Sequence, residues 1–174
     1  MFQTLGKPPI LISSFAFVSV MFVVVMFFVN PMIDGGNGSG VLELQLSFDK
    51  HVGIELINSW GEPGVSNFKN WIFTDSIYAF SYSLFFASLI SYLTLKKGER
   101  FYVTSIVFVS LTLLSGALDC VENSMELSFI YKPYGFSKNL FFIHSIVATF
   151  KWVAIASVTA YIIFLMTKRN EGRL

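Results

Sequence analysis

Four stretches of the chain are almost purely apolar, and each is long enough to cross a membrane as a helix. They cover residues 10–29, 71–95, 101–127 and 140–167. Each reaches the about 20 residues that an α-helix needs to span a hydrocarbon core of about 30 Å. We therefore predict an all-α fold, a four-transmembrane-helix bundle in which residues 1–174 form a single integral membrane domain.

The first apolar stretch has a second interpretation, as the core of a secretory signal peptide. A stretch of about 20 apolar residues is longer than such a core usually is, and no small-residue cleavage site follows it. Lys7-Pro8-Pro9 precedes it and Asn30-Pro31 follows it, and both are typical helix limits. We therefore expect this stretch to be retained as helix 1.

The polar stretch at residues 30–70 changes its periodicity part of the way along. Residues 41–48 alternate between apolar and polar side chains, which is typical of a β-strand. From Asp49, a suitable N-cap, apolar residues recur at helical spacing up to Trp60. Glycine and proline at residues 61–64 are expected to end this helix. The pattern predicts a short amphipathic helix after helix 1, lying on the extracytoplasmic membrane surface or covering the bundle.

The basic residues predict how the bundle is oriented. The turn between helices 2 and 3 holds Lys96, Lys97 and Arg100, and the chain after helix 4 holds three more basic residues. The positive-inside rule places both segments in the cytoplasm. We therefore predict cytoplasmic N- and C-termini, with the loops at residues 30–70 and 128–139 extracytoplasmic.

Composition excludes several classes of function. The chain is 54% hydrophobic and 13% charged with a net charge of +1, so a nucleic-acid partner is not expected. Its one cysteine, Cys120, excludes an internal disulfide and a Cys-x-x-Cys site. Two histidines in all argue against a His/Cys metal centre. We predict neither a metal nor a cofactor.

Ionisable residues inside the apolar helices are the main functional signal. Asp75 lies on helix 2, Asp119 and Glu122 on helix 3, and Lys151 on helix 4. At 1.5 Å per residue they lie about 25–33 Å from the basic residues at the cytoplasmic ends of their helices. This places all of them in the outer half of the bilayer or at its outer interface. Such residues are costly in a membrane, so each is a functional hypothesis by default.

Helical spacing gathers these polar groups on single faces of three helices. Small residues at 115–117 favour a close approach by a neighbouring helix. The stripes are Asp75, Tyr78 and Tyr82 on helix 2, Asp119, Glu122 and Asn123 on helix 3, and His144 and Lys151 on helix 4.

Lys151 is the most informative of these residues. An unpaired lysine at this depth costs several kcal/mol, so we expect Asp119 or Glu122 to pair with it. The surrounding carboxyls outnumber the lysine, and we expect one of them to stay protonated, as in a proton-handling or catalytic site. We predict Asp119, Glu122 and Lys151 as catalytic residues. The predicted ligand-binding residues are Asp75, Tyr78, Tyr82, Asn123, His144 and Thr149.

A structural interpretation stays open beside the functional one. The charged set can serve as a buried polar lock that fixes helix register and does no chemistry. Asp75 can be an interfacial residue near the start of helix 2, and the two tyrosines can be packing residues. His144 and Glu126 can be solvated residues near the outer surface. Cys120 faces away from the Asp119 stripe and is expected to be a packing residue.

Three short patterns resemble a family of small bacterial four-helix membrane proteins over roughly residues 40–155. The resemblance implies a four-helix fold in a bacterial inner membrane and carries no particular activity. The architecture is also similar to that of emopamil-binding and sigma-2-receptor-like proteins, which implies a lipid-like or sterol-like ligand. The patterns are Asp75-x6-Tyr82, Asp119-x-x-Glu122-Asn123 and Thr149-x-Lys151.

These observations support three hypotheses of function. The first is a membrane protein whose outer-leaflet polar site binds, or acts on, a lipid-like hydrophobic ligand. The second is an accessory or assembly subunit of a larger membrane complex, or a homo-oligomer, in which the polar cluster is a lock. The third is a small proton-coupled transporter, for which no inverted repeat or broken helix is evident in the sequence.

Overall fold

The described part of the molecule is built from helices alone. The structure is a computed structural model that describes residues 1–33 and 40–169. Within those ranges there is no β-strand, so the all-α prediction is confirmed. Residues 34–39 of the predicted loop and the end of the basic tail lie outside the described ranges. The helices are α1 (Phe2–Leu5), α2 (Pro8–Val23), α3 (Gly40–Leu46), α4 (Lys50–Ser59), α5 (Gly61–Lys97), α6 (Tyr102–Tyr131) and α7 (Lys138–Thr167).

Four helical segments are long and apolar enough to span a membrane, as the sequence predicted. The first runs beyond α2 through a π-helical turn, Val24–Val29, and a 3₁₀ turn, Asn30–Met32. The second is α5, the third is α6 with the 3₁₀ turn Glu99–Phe101 before it, and the fourth is α7. Large apolar side chains are exposed on all four, among them Phe27, Phe73, Val103 and Phe150.

The strand predicted for residues 41–48 is wrong, because this segment forms α3. Helical winding brings Val41, Leu44 and Gln45 to one face, and Leu44 and Gln45 are buried. Leu42 and Leu46, which the alternation grouped with Leu44, are exposed. Packing of α3 against α4 and α7 therefore decides its structure, since a short alternating pattern is compatible with either period.

The end predicted for the short helix at residues 61–64 is confirmed, because α4 ends at Ser59, but a new helix, α5, begins directly afterwards at Gly61. Gly61 turns the corner after α4 with a φ of 62°, which glycine adopts without strain. Pro63 lies in the first turn of α5, where a helix does not use the backbone N–H that proline lacks. Gly64 lies so close to the Ile33 carbonyl that a Cβ atom would overlap it. Helix 2 of the prediction therefore starts ten residues earlier than residue 71, at Gly61.

The short helix predicted after helix 1 is confirmed as α4. The side chain of Asp49 accepts a hydrogen bond from the His51 backbone N–H at 2.9 Å, as expected of an N-cap. Ile57 and Gly53 are its buried residues.

The centre of the bundle is α5, which packs against α2, α6 and α7, while α6 also packs against α7. Two apolar clusters lie at opposite ends of these helices. We call them the cap cluster and the base cluster. The cap cluster includes Trp60, Phe68, Trp71, Phe129 and Phe141. The base cluster includes Ala87, Ile90, Val109, Val158 and Leu165.

Candidate functional site

A layer of buried polar side chains separates the cap cluster from the base cluster. It takes four carboxyl groups, one lysine and one histidine from α5, α6 and α7, and all are at most 8% exposed. The segments that carry these residues lie between the cap and base residues along each helix. The members are Asp75, Asp119, Glu122, Glu126, Lys151 and His144.

Lys151 bridges two carboxylates of α6. Its Nζ lies 2.9 Å from Asp119 Oδ1 and 2.7 Å from Glu122 Oε2. Asp119 and Glu122 are three residues apart and therefore share the face of α6 that meets α7. The pairing expected for Lys151 is confirmed. It compensates the buried ammonium with charge-assisted contacts.

Asp119 also contacts α5. The Tyr82 hydroxyl donates a hydrogen bond to Asp119 Oδ2 at 3.1 Å. Close packing of α5 and α6 allows this contact, because a Cβ atom at Gly116 would overlap Ser83 Oγ and lie 3.3 Å from the Ala79 carbonyl oxygen. The close approach predicted from the small residues of helix 3 is thus confirmed.

Asp75 joins the layer through Asn123. The Asn123 amide Nδ2 donates to Asp75 Oδ2 and to Ser76 Oγ, at 3.1 Å each. Asp75 is 8% exposed and lies well inside α5, so its interpretation as an interfacial residue at a helix start is wrong. The physical reason is the earlier start of α5, which carries the helix beyond Asp75 into the cap.

His144 and Glu126 form a second buried pair. His144 Nε2 lies 3.2 Å from Glu126 Oε1, and both side chains are completely buried. The rings of Phe129 and Phe141 flank the imidazole at centroid distances of 5.2 and 5.6 Å. The interpretation of both residues as solvated is therefore wrong, because the cap cluster covers them. The spacing from Glu122 to Glu126, one helical turn on the same face, is a signal that could have revealed Glu126.

Several polar atoms of this second pair and of Glu122 lack a hydrogen-bond partner among the described residues. They are Glu122 Oε1, Glu126 Oε2 and His144 Nδ1. Glu122, Glu126 and His144 also offer donor atoms within 4.8 Å of one another, a spacing that suits a metal ion.

A cavity of about 590 Å³ lies on the other side of Asp119 and Lys151, between α7 and the first of the four segments long enough to span a membrane (Pro8–Met32, called the first spanning helix). This volume is within the range of pockets for small molecules. Most of its polar lining lies toward the cap and at mid-height, and its other end is apolar apart from Ser19. Gln45 and Trp152 line it as well, and the Trp152 indole donates to Gln45 Oε1 at 3.3 Å. The lining includes Val18, Ser19, Phe22, Met26, Asn30, Trp71, Asp75, Tyr78, Tyr82, Phe85, Phe86, Asp119, Lys151 and Ile155.

The structure thus divides the predicted site residues into three groups. The first group lines the cavity: Asp75, Tyr78, Tyr82, Asp119 and Lys151. The second group does not line the cavity: Glu122 and His144 belong to the polar layer, and Asn123 donates to Asp75 of that layer.

Thr149 forms the third group alone, because its hydroxyl donates to the Ser145 carbonyl of its own helix at 2.7 Å. It is not among the described residues that line the cavity. Cys120 is exposed and lies outside the polar layer.

Comparisons of the chain with models of protein families, with characterised proteins and with solved structures found no significant match. Fold and site define a helical protein with four segments long enough to span a membrane and a buried polar layer beside a cavity.

Proposed function

We propose that this chain is an integral membrane protein that binds, or acts on, a lipid-like molecule in the cavity beside α5. The observation that carries the proposal is the amphipathic lining of this cavity. Asn30, Gln45 and Asp75 lie toward the cap, whereas Val18 and Phe85 lie toward the base. A ligand with a polar head and an apolar body matches this lining.

Helix lengths and surface composition support a membrane location. At 1.5 Å per residue α5 is about 55 Å long, and α6 and α7 are each about 45 Å long. All three exceed a hydrocarbon core of about 30 Å, and the cap cluster packs against their surplus ends. Exposed apolar side chains on the spanning helices are suited to lipid contact.

The basic residues support the predicted orientation. Lys96, Arg100, Lys168 and Arg169 follow the base cluster, at the end of the bundle opposite the cap. We propose that this end is cytoplasmic, with both termini, and that the cap and the loops at 30–70 and 128–139 are extracytoplasmic. The resemblance to small bacterial proteins favours a bacterial inner membrane.

The charges on the cavity wall favour a neutral or cationic head group. Lys151 is the basic residue of this lining and is already paired with Asp119 and Glu122, so the wall offers an anionic head group no unpaired positive charge. A hydroxyl, as in an isoprenol or a sterol, can donate to a carboxylate and accept from Tyr78. Asp119 is the proposed base and Lys151 the proposed stabiliser of negative charge. Glu122 lies behind the wall, so its proposed role is to position Lys151.

Photolabelling of the cavity tests the proposal. A photoreactive isoprenol and a photoreactive sterol are added to the purified protein in nanodiscs, and labelled peptides are identified by mass spectrometry. We expect labels on α5 and on the first spanning helix. Ser19→Trp fills the cavity and should lower labelling at least tenfold, whereas Ala16→Trp, an exposed site on the same helix, should not. Equal labelling of the two variants would refute a ligand in this cavity.

The second candidate is a subunit of a larger membrane complex, in which the polar layer is a structural lock. It is favoured by the pairing of Lys151 with two carboxylates, which satisfies its charge without a ligand. Partner proteins that co-purify in mild detergent, together with an unlabelled cavity, would support this candidate over the first.

A further inference from the structure

Glu122, Glu126 and His144 form a donor set that does not line the cavity, and of the three Glu122 is the residue that pairs with Lys151. Their donor atoms lie within 4.8 Å of one another, and all three side chains are completely buried. Two carboxylates one turn apart on α6 face an imidazole on α7. We propose that these three residues bind one divalent transition-metal ion, with Zn²⁺ as the preferred species.

His144 and Glu126 have the spacing expected of two ligands on one metal ion. Ligands held about 2.1 Å from a zinc ion at tetrahedral angles are about 3.4 Å apart. His144 Nε2 and Glu126 Oε1 are 3.2 Å apart. Small side-chain rotations bring Glu122 into range, because its donor oxygen is within the 4.8 Å limit.

Two unpartnered carboxylate oxygens in this set favour a bound cation. Glu122 Oε1 and Glu126 Oε2 are buried without hydrogen-bond partners among the described residues. A carboxylate buried in this way is costly unless it is neutralised or coordinated. A cation between the two glutamates uses one oxygen from each and compensates both.

Charge balance leads to the same conclusion. The polar layer holds four carboxyl groups and one lysine, so that up to three negative charges lack compensation when all the carboxyls are ionised. A divalent ion removes two of them. Lys151 contacts Glu122 through Oε2, which leaves Oε1 directed elsewhere and fixes the orientation of that carboxylate.

The surroundings and the donor types select the class of metal. Phe129 and Phe141 flank His144 and exclude water from that side, and Gln45 interacts with the Glu126 carboxylate. One imidazole nitrogen with carboxylate oxygens favours zinc, iron or manganese over calcium, which prefers oxygen ligands alone. Three protein ligands also leave a fourth position of a tetrahedral ion for water.

Metal content measured on the full chain tests the inference. The protein is purified with a streptavidin-binding tag, because a polyhistidine tag would itself bind zinc. After loading with Zn²⁺ and dialysis, inductively coupled plasma mass spectrometry should find close to one zinc per chain. Loss of an outer-shell partner typically costs about 10–100-fold in metal affinity. Glu126→Gln and His144→Gln remove direct ligands and should cost at least that much.

The chain supplies matched controls. His51 is its other histidine and Glu55 is a carboxylate on the same short helix, and both are exposed. His51→Gln and Glu55→Gln should bind zinc like the wild type. The proposed site is wrong if these controls lose as much zinc as His144→Gln does. It is also wrong if the wild-type protein retains no zinc, iron or manganese.

If the variants fail to fold, the visible absorption spectrum of the cobalt-loaded wild type still tests the site. Co²⁺ in a four-coordinate site absorbs strongly in the visible range, so a cobalt-loaded wild type without such bands would overturn the inference. The site does not line the cavity. Ser19→Trp should therefore lower photolabelling at least tenfold and leave the zinc content unchanged, which separates this inference from the proposed function.

Discussion

Lys151 Nζ lies 2.7 Å from Glu122 Oε2, although Lys151 lines the cavity and Glu122 does not. The ammonium group is therefore the boundary between two compartments, with the cavity on one side and the Glu126–His144 pair on the other. A substitution at Lys151 should affect both compartments, whereas a substitution at Asp75 or at Glu126 should affect one.

Lys151→Met should lower the free energy of unfolding by about 3–5 kcal/mol, because it leaves two buried carboxylates without their cation. Glu122→Gln in the same protein should cost less than it does alone, so the double variant should be at least about 1 kcal/mol more stable than additivity predicts. The measurement is unfolding in detergent followed by circular dichroism. Lys132→Met, an exposed control, should stay within about 0.5 kcal/mol of the wild type. If the losses of stability from the two substitutions simply add, Lys151 and Glu122 do not stabilise each other.

Gly116→Ala should destabilise the protein by about 1–3 kcal/mol, because the new methyl group overlaps Ser83 Oγ between α5 and α6. Adding Ser83→Ala removes the overlapping atom and should restore part of the loss. The midpoint of thermal unfolding reports both effects. Gly135→Ala, in the turn before α7, is the milder comparison, because its new methyl group meets only atoms of Lys132, at 3.3–3.9 Å, and overlaps none of them. A Gly116→Ala protein as stable as Gly135→Ala would contradict the close packing of these helices.

Asp75→Asn should preserve the fold and weaken ligand binding. The asparagine carbonyl can still accept from Asn123 Nδ2, so the unfolding free energy should change by about 1 kcal/mol or less. Labelling by the photoreactive isoprenol should fall at least tenfold, because the wall loses a negative acceptor. Asn123→Ala is the matched comparison. This substitution leaves the Asp75 carboxylate without the hydrogen bond from Asn123, so it should lower the free energy of unfolding more than Asp75→Asn does. The opposite order would show that the Asn123–Asp75 hydrogen bond contributes little to stability.

Cysteine labelling in intact cells should report the orientation of the bundle. Cys120, the chain's one cysteine, is first replaced by alanine. Glu62→Cys, at the cap end, should react with a membrane-impermeant maleimide. Glu99→Cys, at the opposite end, should react only after the cells are permeabilised. The reverse pattern would place the termini outside the cell and the cap in the cytoplasm.

The sequence was sufficient to predict features that depend on local periodicity or on the cost of burying a charge. The four long apolar segments follow from side-chain composition alone. The pairing of Lys151 followed from the cost of an unpaired ammonium, which leaves few partners at the same height.

Features that depend on packing between segments distant in the chain could not be predicted from the sequence. The helical state of α3 is set by its contacts with α4 and α7, and the start of α5 is set by the approach of Gly64 to Ile33. Glu126 and His144 are buried because the cap cluster covers them, and that cluster combines Ile33 with residues from each helix from α3 to α7. A single helix pattern does not contain that information.

The π-helical turn Val24–Val29 accommodates an additional residue within the first spanning helix, directly where Val25 and Met26 line the cavity. Beyond it, Asn30 accepts a hydrogen bond from the Trp71 indole. Deleting one valine would convert the wide turn to an ordinary one and rotate every later residue by about 100° about the helix axis. Asn30 would then turn away from Trp71. The position of the cavity's upper wall therefore depends on the number of residues in this turn as much as on their identity.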